Sequence, residues 1–246
     1  VPGAGLFVAA LPADAFGTNC YVVATGRGEQ CVVVDPGIGV TDRLEALLAE
    51  HRLRPAAVLL THGHLDHTFS VTPVCGARGI TAYIHPADRE MLAEPGKALG
   101  SVESRQLFAQ LGMPYAEPDD VTELADGAVL SIAGLDVTVD HAPGHTGGSV
   151  LFRLPAVDSE FDADELCLSG DVLFAGSIGR TDLPGGSMAA MMASLRDRVL
   201  PLADDTVVLP GHGPATTIGR ERATNPYLRE LAGLGDARPA GPTRGW

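Results

Sequence analysis

Apolar positions fall into short runs broken at regular intervals by turn formers. Residues 5–10, 20–24 and 30–35 are three such runs, separated by Phe16-Gly17-Thr18-Asn19 and by Gly26-Arg27-Gly28. They read as antiparallel strands. Asp35-Pro36-Gly37 stops the third, and Thr41-Asp42 opens a segment in which Leu44, Leu47, Leu48 and Ala49 share one helical face. Pro55 closes that helix. Residues 56–60 form a continuous apolar run of strand length that leads straight into Thr61-His62. A second helix is expected after that point, and a strand over 80–84. Residues 86–120 are less regular and predict short helices with a surface loop. Alternating β pattern returns over 128–132, 135–140, 148–153 and 165–169, followed by a turn-rich stretch over 174–186. Residues 188–199 and 217–232 predict helices, and 205–209 a strand.

Strands, helices, strands and helices thus follow one another with no linker and no internal repeat. Two β-α halves packed sheet to sheet, with helices outside, satisfy this order. The expected fold is α/β, an αββα sandwich of two mixed sheets. Residues 1–233 are expected to form one domain and 234–246, rich in Gly, Pro and Ala, a disordered tail.

Composition narrows the function. With 45% apolar and 20% charged residues the chain can bury a sizeable core. Its net charge of −14 and the lack of a basic run exclude phosphate-backbone binding, so no nucleic-acid partner is expected. No stretch approaches the length of a membrane span, and the first residues lack a secretory leader pattern. Four cysteines occur without a C-x-x-C pair, and Cys20, Cys31 and Cys167 lie in strand-like apolar contexts. Buried free thiols and a cytoplasmic location are the expectation.

The chemistry is concentrated in Thr61-His62-Gly63-His64-Leu65-Asp66-His67. Four potential metal ligands follow a buried strand within six residues, and Gly63 permits backbone conformations that other residues avoid. Imidazole and carboxylate suit zinc, iron or manganese. Three further candidates, His145, Asp171 and His212, each follow an apolar strand in a glycine-containing loop. Strand ends on one rim converge on a common site.

This set resembles the metallo-β-lactamase superfamily, whose H-x-H-x-D-H motif is matched by residues 62–67 and whose later His, Asp and His are matched by His145, Asp171 and His212. Within it the chain is similar to the short, single-domain branch of glyoxalase II-like (hydroxyacylglutathione hydrolase-like) enzymes, on Val34–Gly37, Pro143–Gly147, Gly179-Arg180-Thr181-Asp182 and Asn225-Pro226. The resemblance implies two divalent metal ions, zinc first with iron or manganese as alternatives. One would be held by His62, His64 and His145 and the other by Asp66, His67 and His212, with Asp171 bridging. It implies cleavage of a small thioester by a metal-bridging hydroxide, with Asp66 orienting it and passing on a proton. Long members of the group carry a C-terminal glutathione-binding domain that has no counterpart after His212, so the thiol carrier stays open.

Two other activities share the fold: a persulfide dioxygenase with one iron on residues matching His62, His145 and Asp171, and a lactonase with all seven ligands. β-Lactamases usually lack the carboxylate matched by Asp171. Asp35 is either a brace for the ligand loop or a plain turn residue. Arg180 and Asp182 either pair to fix their loop or contact a substrate carboxylate. His51, His85 and His141 read as structural. The sequence does not specify an oligomeric state.

Overall fold

The computed structural model describes residues 5–99, 115–156 and 158–233. In the first half, β1 (Phe7–Pro12), β2 (Asn19–Ala24) and β3 (Gln30–Val34) pair antiparallel. β4 (Arg54–Leu59), β5 (Thr81–Ile84) and β6 (Val121–Glu123) add to β3 in parallel, giving six strands in sequence order. The second half supplies β7 (Val129–Ile132), β8 (Leu135–His141), β9 (Val150–Pro155), β10 (Glu165–Gly170), β13 (Val207–Pro210) and β14 (Thr216–Thr217). Their spatial order is β14-β13-β10-β9-β8-β7, with only β10 and β13 parallel. A small hairpin, β11 (Leu173–Phe174) with β12 (Ser177–Ile178), leaves the end of β10.

Three apolar clusters hold these layers together. Tyr21, Val23, Val32, Val34, Ala57 and Leu59 of the first sheet meet Val137, Val139, Phe152, Leu166 and Leu168 of the second. The alternate residues Val22, Val33 and Val58 face outward onto Leu44 and Leu48 of α1 (Thr41–His51) and Val71 and Val74 of α3 (Val71–Gly76). Leu151, Cys167 and Val208 do the same against Met191 of α5 (Met188–Ser194), Ile218 of α6 (Ile218–Thr224) and Leu228 of α7 (Pro226–Leu231). Sheets covered on both faces need apolar side chains at successive positions, which explains the unbroken apolar runs in the sequence. The αββα sandwich is therefore the fold. All four cysteines are buried and free. Among the described residues no helix is long and apolar enough to cross a membrane.

The differences from the sequence reading have local causes. The helix expected over 217–232 is two helices, because Pro226 pushes Asn225 into extended backbone (ψ 122°). The Asn225 side chain then caps α7 by accepting from the Tyr227 N–H at 3.1 Å. The helix expected over 188–199 widens after Ser194, where the Leu200 N–H reaches back to the Leu195 carbonyl at 2.9 Å. β6 and β14 span three and two residues and have no alternation to read. The turn-rich stretch over 174–186 begins with the β11–β12 hairpin. The tail 234–246 and part of the irregular 86–120 segment lie outside the described residues.

The topology fixes where a site can form. β8 and β10 both run antiparallel to β9, and β13 runs parallel to β10. The C-terminal ends of β8, β10 and β13 therefore share one rim. The end of β4 joins them, because the Val150 N–H donates to the Thr61 carbonyl at 2.9 Å across the two sheets.

Candidate metal centre

The motif after β4 is held from below by Asp35, the residue that terminates β3. Its carboxylate accepts from the Thr61 N–H (2.9 Å), the Thr61 hydroxyl (2.6 Å) and His67 Nδ1–H (2.9 Å). Asp35 sits at φ 48°, in the left-handed region, which aims its side chain under the loop. Of the two roles open from sequence, the contacts are those of a brace. The Thr61 proton is committed to Asp35, so His62 Nδ1–H donates to Thr61 Oγ1 at 3.1 Å. α2 (Leu65–Thr68) then raises Asp66 and His67 on its first turn.

Other imidazoles are fixed in the same way. His145 Nδ1–H donates to the Arg180 carbonyl at 2.8 Å, and His212 Nδ1–H to the Phe16 carbonyl at 3.2 Å. Carbonyl and carboxylate oxygens only accept, so Nδ1 carries the proton in His67, His145 and His212. Each Nε2 points into the centre, where its lone pair is the one that a cation would take in place of a proton. The His212 loop is tied to the first sheet by Asn19, whose amide donates to the Pro210 (3.0 Å) and Gly213 (2.9 Å) carbonyls, and by the Tyr21 hydroxyl, which donates to Pro210 at 2.8 Å.

Sequence reasoning missed Asp88. This fully buried carboxylate accepts from the Gly63 N–H (2.8 Å), the Thr146 hydroxyl (2.6 Å) and the Gly148 N–H (2.7 Å). It thereby clamps the His62–His64 loop to the His145 loop. The only trace in the sequence is a glycine in each of these loops. Gly63 is needed for space, not for an unusual backbone as expected: a Cβ there would stand 2.8 Å from Cβ of Met91 in α4 (Arg89–Ala93) and 3.0 Å from the Asp88 carbonyl oxygen.

All seven sequence candidates converge. His62, His64 and His145 form one trio of ligand atoms and Asp66, His67 and His212 another, each with its atoms within 4.8 Å of one another. Asp171, at the end of β10, lies between them. Its carboxylate is 3.4 Å from His67 Nε2 and 3.5 Å from both His145 Nε2 and His212 Nε2. Nε2 of His62, His64 and His145 and Oδ1 of Asp171 are buried with no hydrogen-bond partner. Each unsatisfied group costs about 1–3 kcal/mol. The three imidazole nitrogens lie within 4.8 Å of one another and fit a cation that takes all three, while Asp171 Oδ1 lies on the His67 side, 3.4 Å from its Nε2.

The electrostatics divide the centre in two. Burial and the neighbouring imidazoles hold His62 well below its ordinary pKa and push His64 down to about 3. Burial also opposes a charge on His67, but Asp171, Asp66 and Asp35 more than offset it and hold its pKa well above the ordinary value. Burial would raise the Asp171 carboxyl, yet His67, His145 and His212 reverse this and hold it down at about 2. The centre keeps its carboxylates ionised and draws positive charge inward.

Arg180 and Asp182 form a two-pronged pair, with Nε and Nη2 each donating at 2.8 Å. The pair is exposed and lies beside the carbonyl that anchors His145. That is a loop-fixing geometry. His51, His85 and His141 lie outside the trios. His85 and His141 stack with ring centroids 3.9 Å apart, and His51 lies against Phe7. Replacing each of the three by Gln is expected to leave bound metal per chain unchanged by elemental analysis; loss in any one would add a ligand to the set.

Residues 13–212 match the metallo-beta-lactamase superfamily profile. The chain is 47% identical over 229 residues to an uncharacterized protein of Mycobacterium tuberculosis, covering 92% of this chain and 100% of that one. It is 33% identical over 218 residues to hydroxyacylglutathione hydrolase GloC of Haemophilus influenzae, covering 89% and 96% respectively. Among solved structures it is similar to the BLEG-1 B3 metallo-beta-lactamase (TM-score 0.75, 36% identity, 90% of this chain and 99% of that one). It is also similar to TTHA1623 in a di-iron-bound form (TM-score 0.69, 38% identity, 90% and 100%).

Proposed function

Since the chain belongs to the metallo-β-lactamase superfamily, we propose that this metallo-hydrolase cleaves thioesters, with His62, His64 and His145 holding one divalent cation, Asp66, His67 and His212 a second, and Asp171 reaching both. The observation that carries the reading is the Asp171 carboxylate, within 3.4–3.5 Å of imidazoles from both trios. Zinc is the first expectation, and the di-iron-bound relative makes iron the main alternative. When bound, the cations supply Lewis acidity for the thioester carbonyl and lower the pKa of a water.

The chain's own residues supply position and proton transfer. Asp35, the Arg180 carbonyl and the Phe16 carbonyl fix the rings of His67, His145 and His212, so these three rings need no ordering in the reaction step. Asp66 is the general base in this reading. Its Oδ2 accepts from the Thr18 hydroxyl at 3.0 Å and lies 3.5 Å from His67 Nε2 and 3.3 Å from His212 Nε2, which holds the carboxylate against both rings. His67, His212 and His64 overcome the effect of burial and keep its pKa below the carboxylate range. Water adds across the C–S bond: a C–O bond forms, the C–S bond breaks, and the proton taken by Asp66 leaves with the thiol. The name of the Haemophilus influenzae relative, a hydroxyacylglutathione hydrolase, supports this substrate class.

β-Lactam hydrolysis is a second reading, favoured by the 36% identity to a B3 metallo-beta-lactamase. Elemental analysis of protein purified without chelator is expected to approach two metals per chain. Turnover is expected on a hydroxyacyl-glutathione thioester and not on a β-lactam, a lactone or a persulfide. A single iron with oxygen uptake on the persulfide would replace this reading with a dioxygenase; turnover of the β-lactam or lactone alone would replace the substrate class.

A further inference from the structure

The structure assigns a positioning role at the metal centre to Glu221, a residue outside the ligand set: its carboxylate fixes the Asp171 and His212 loops against each other, so that both reach the second cation. This rests on the two-cation reading above and deepens it. Glu221 lies on α6 and is fully buried. Its Oε1 accepts from the Thr216 hydroxyl at 2.6 Å. Its Oε2 accepts from the Gly176 N–H at 2.7 Å and from Asn225 Nδ2–H at 3.0 Å. Burying a carboxylate is costly unless donors replace its water. For stability alone, a buried charged group is often replaceable by an apolar side chain of similar volume. What the acid adds here is a fixed link between chain segments 45 residues apart.

Each end of the link bears on a ligand loop. Gly176 is in the turn of the β11–β12 hairpin, which begins two residues after Asp171 and ends at Ile178, next to Gly179. A Cβ on Gly179 would overlap the Asp171 carbonyl oxygen and stand 3.0 Å from His145 Nδ1, so the returning strand is seated on the backbone of the shared carboxylate residue. Asn225 Nδ2–H also donates to the Ser177 carbonyl at 3.0 Å, a second tie on the same hairpin. On the other side, Thr216 pairs with Val208 across β14 and β13, which closes the loop that carries His212. β14 is two residues long, so few ladder bonds hold this closure, and the Thr216–Glu221 bond adds to them. The two loops bring the Asp171 carboxylate and His212 Nε2 to 3.5 Å. Asp88 clamps the loops of His62, His64 and His145; Glu221 does the same for the loops of Asp171 and His212.

The test titrates the metal-stripped full chain with cobalt(II), read by visible absorption, alongside thermal melts of the metal-free protein. The parent is expected to take up cobalt in two steps, and His212→Ala shows which step belongs to the Asp66, His67 and His212 trio. Glu221→Gln keeps the shape but turns an NH2 group toward one of the three donors. It should weaken that step about ten- to a hundredfold, as is usual for residues that support metal ligands, and leave the other step close to parental. Thr216→Val removes a single hydroxyl and should move the same step in the same direction by a smaller factor; it decides alone if Glu221→Gln does not fold. Because Glu221 acts through His212 and Asp171, adding Glu221→Gln to His212→Ala should cost little further affinity. A purely structural residue would lower the melting temperature of the metal-free protein and leave both cobalt steps at parental affinity. That result overturns the proposal, as does a Glu221→Gln effect that is undiminished in the His212→Ala background. If the parent binds only one cobalt, the two-cation reading fails by itself; the positioning role then stands if Glu221→Gln weakens that single step and falls if it does not.

Discussion

Asp171→Asn is expected to lower kcat on a thioester by about a hundredfold or more, the scale of losing a main electrostatic stabiliser, and to release at least one metal. The substitution keeps the shape and hydrogen-bonding reach of the side chain, so the loss reports charge. In the parent, Asp171 sits 3.4 Å from His67 Nε2 and 3.5 Å from the Nε2 atoms of His145 and His212. Among the described residues it is thus the single anion common to both trios. Gly211 packs so close that a Cβ there would overlap Asp171 Oδ1 and lie 2.7 Å from His67 Cε1, so the carboxylate has room beside His67 only because residue 211 has no side chain. Without its charge, two cations held by the two trios would repel with less compensation, and one trio would lose its cation first. Elemental analysis and steady-state kinetics on the same preparation decide the matter. Both metals retained with near-parental turnover would sink the dinuclear mechanism, whatever the substrate.

The part of this centre that could be read from sequence is the part built from unusual residue types. Histidines are few, and those at 62, 64 and 67, with Asp66, stand directly after an apolar run; His145, Asp171 and His212 repeat that context. Short apolar runs and turn formers likewise marked most strands, because the side chains of the paired sheets point by turns into two apolar layers and leave successive positions apolar. Asp35 drew attention through its position before Pro36-Gly37, but only the fold reveals that its carboxylate spans Thr61 and His67. Asp88 gave no such mark. It is an ordinary acid in a weakly periodic segment, and its partners lie 25, 58 and 60 residues away. Long-range acceptors of backbone N–H groups leave no local period in a sequence. The division of α6 from α7 was written in Asn225-Pro226, where a breaker was read through because apolar residues continued on both sides.

Asp88 accordingly carries the second large expectation. One carboxylate oxygen accepts from the Gly63 N–H and the Thr146 hydroxyl, and the other from the Gly148 N–H. A Cβ on Gly148 would stand 2.6 Å from Asp88 Cγ, so the loop has packed against this side chain as closely as a glycine allows. Asp88→Asn presents an NH2 group to at least one of these donors, and Asp88→Ala presents nothing. A buried donor without an acceptor costs about 1–3 kcal/mol. In a chain of this size about 1 kcal/mol corresponds to roughly 2–4 °C of Tm. Asp88→Ala is expected to lower Tm by about 10 °C and Asp88→Asn by less. The effect on metal should be one-sided. Asp88 joins the two loops that carry His62, His64 and His145, whereas Asp66, His67 and His212 are held by Thr18, Asp35 and the Phe16 carbonyl. Metal content is therefore expected to fall from two toward one, with loss from the three-histidine side, and turnover to fall with it. A thermal melt and elemental analysis on the two variants test this ordering. An Asp88→Ala protein that melts like its parent and keeps both metals would show that the two loops hold together without the clamp, and that the buried carboxylate serves only to satisfy its own neighbours.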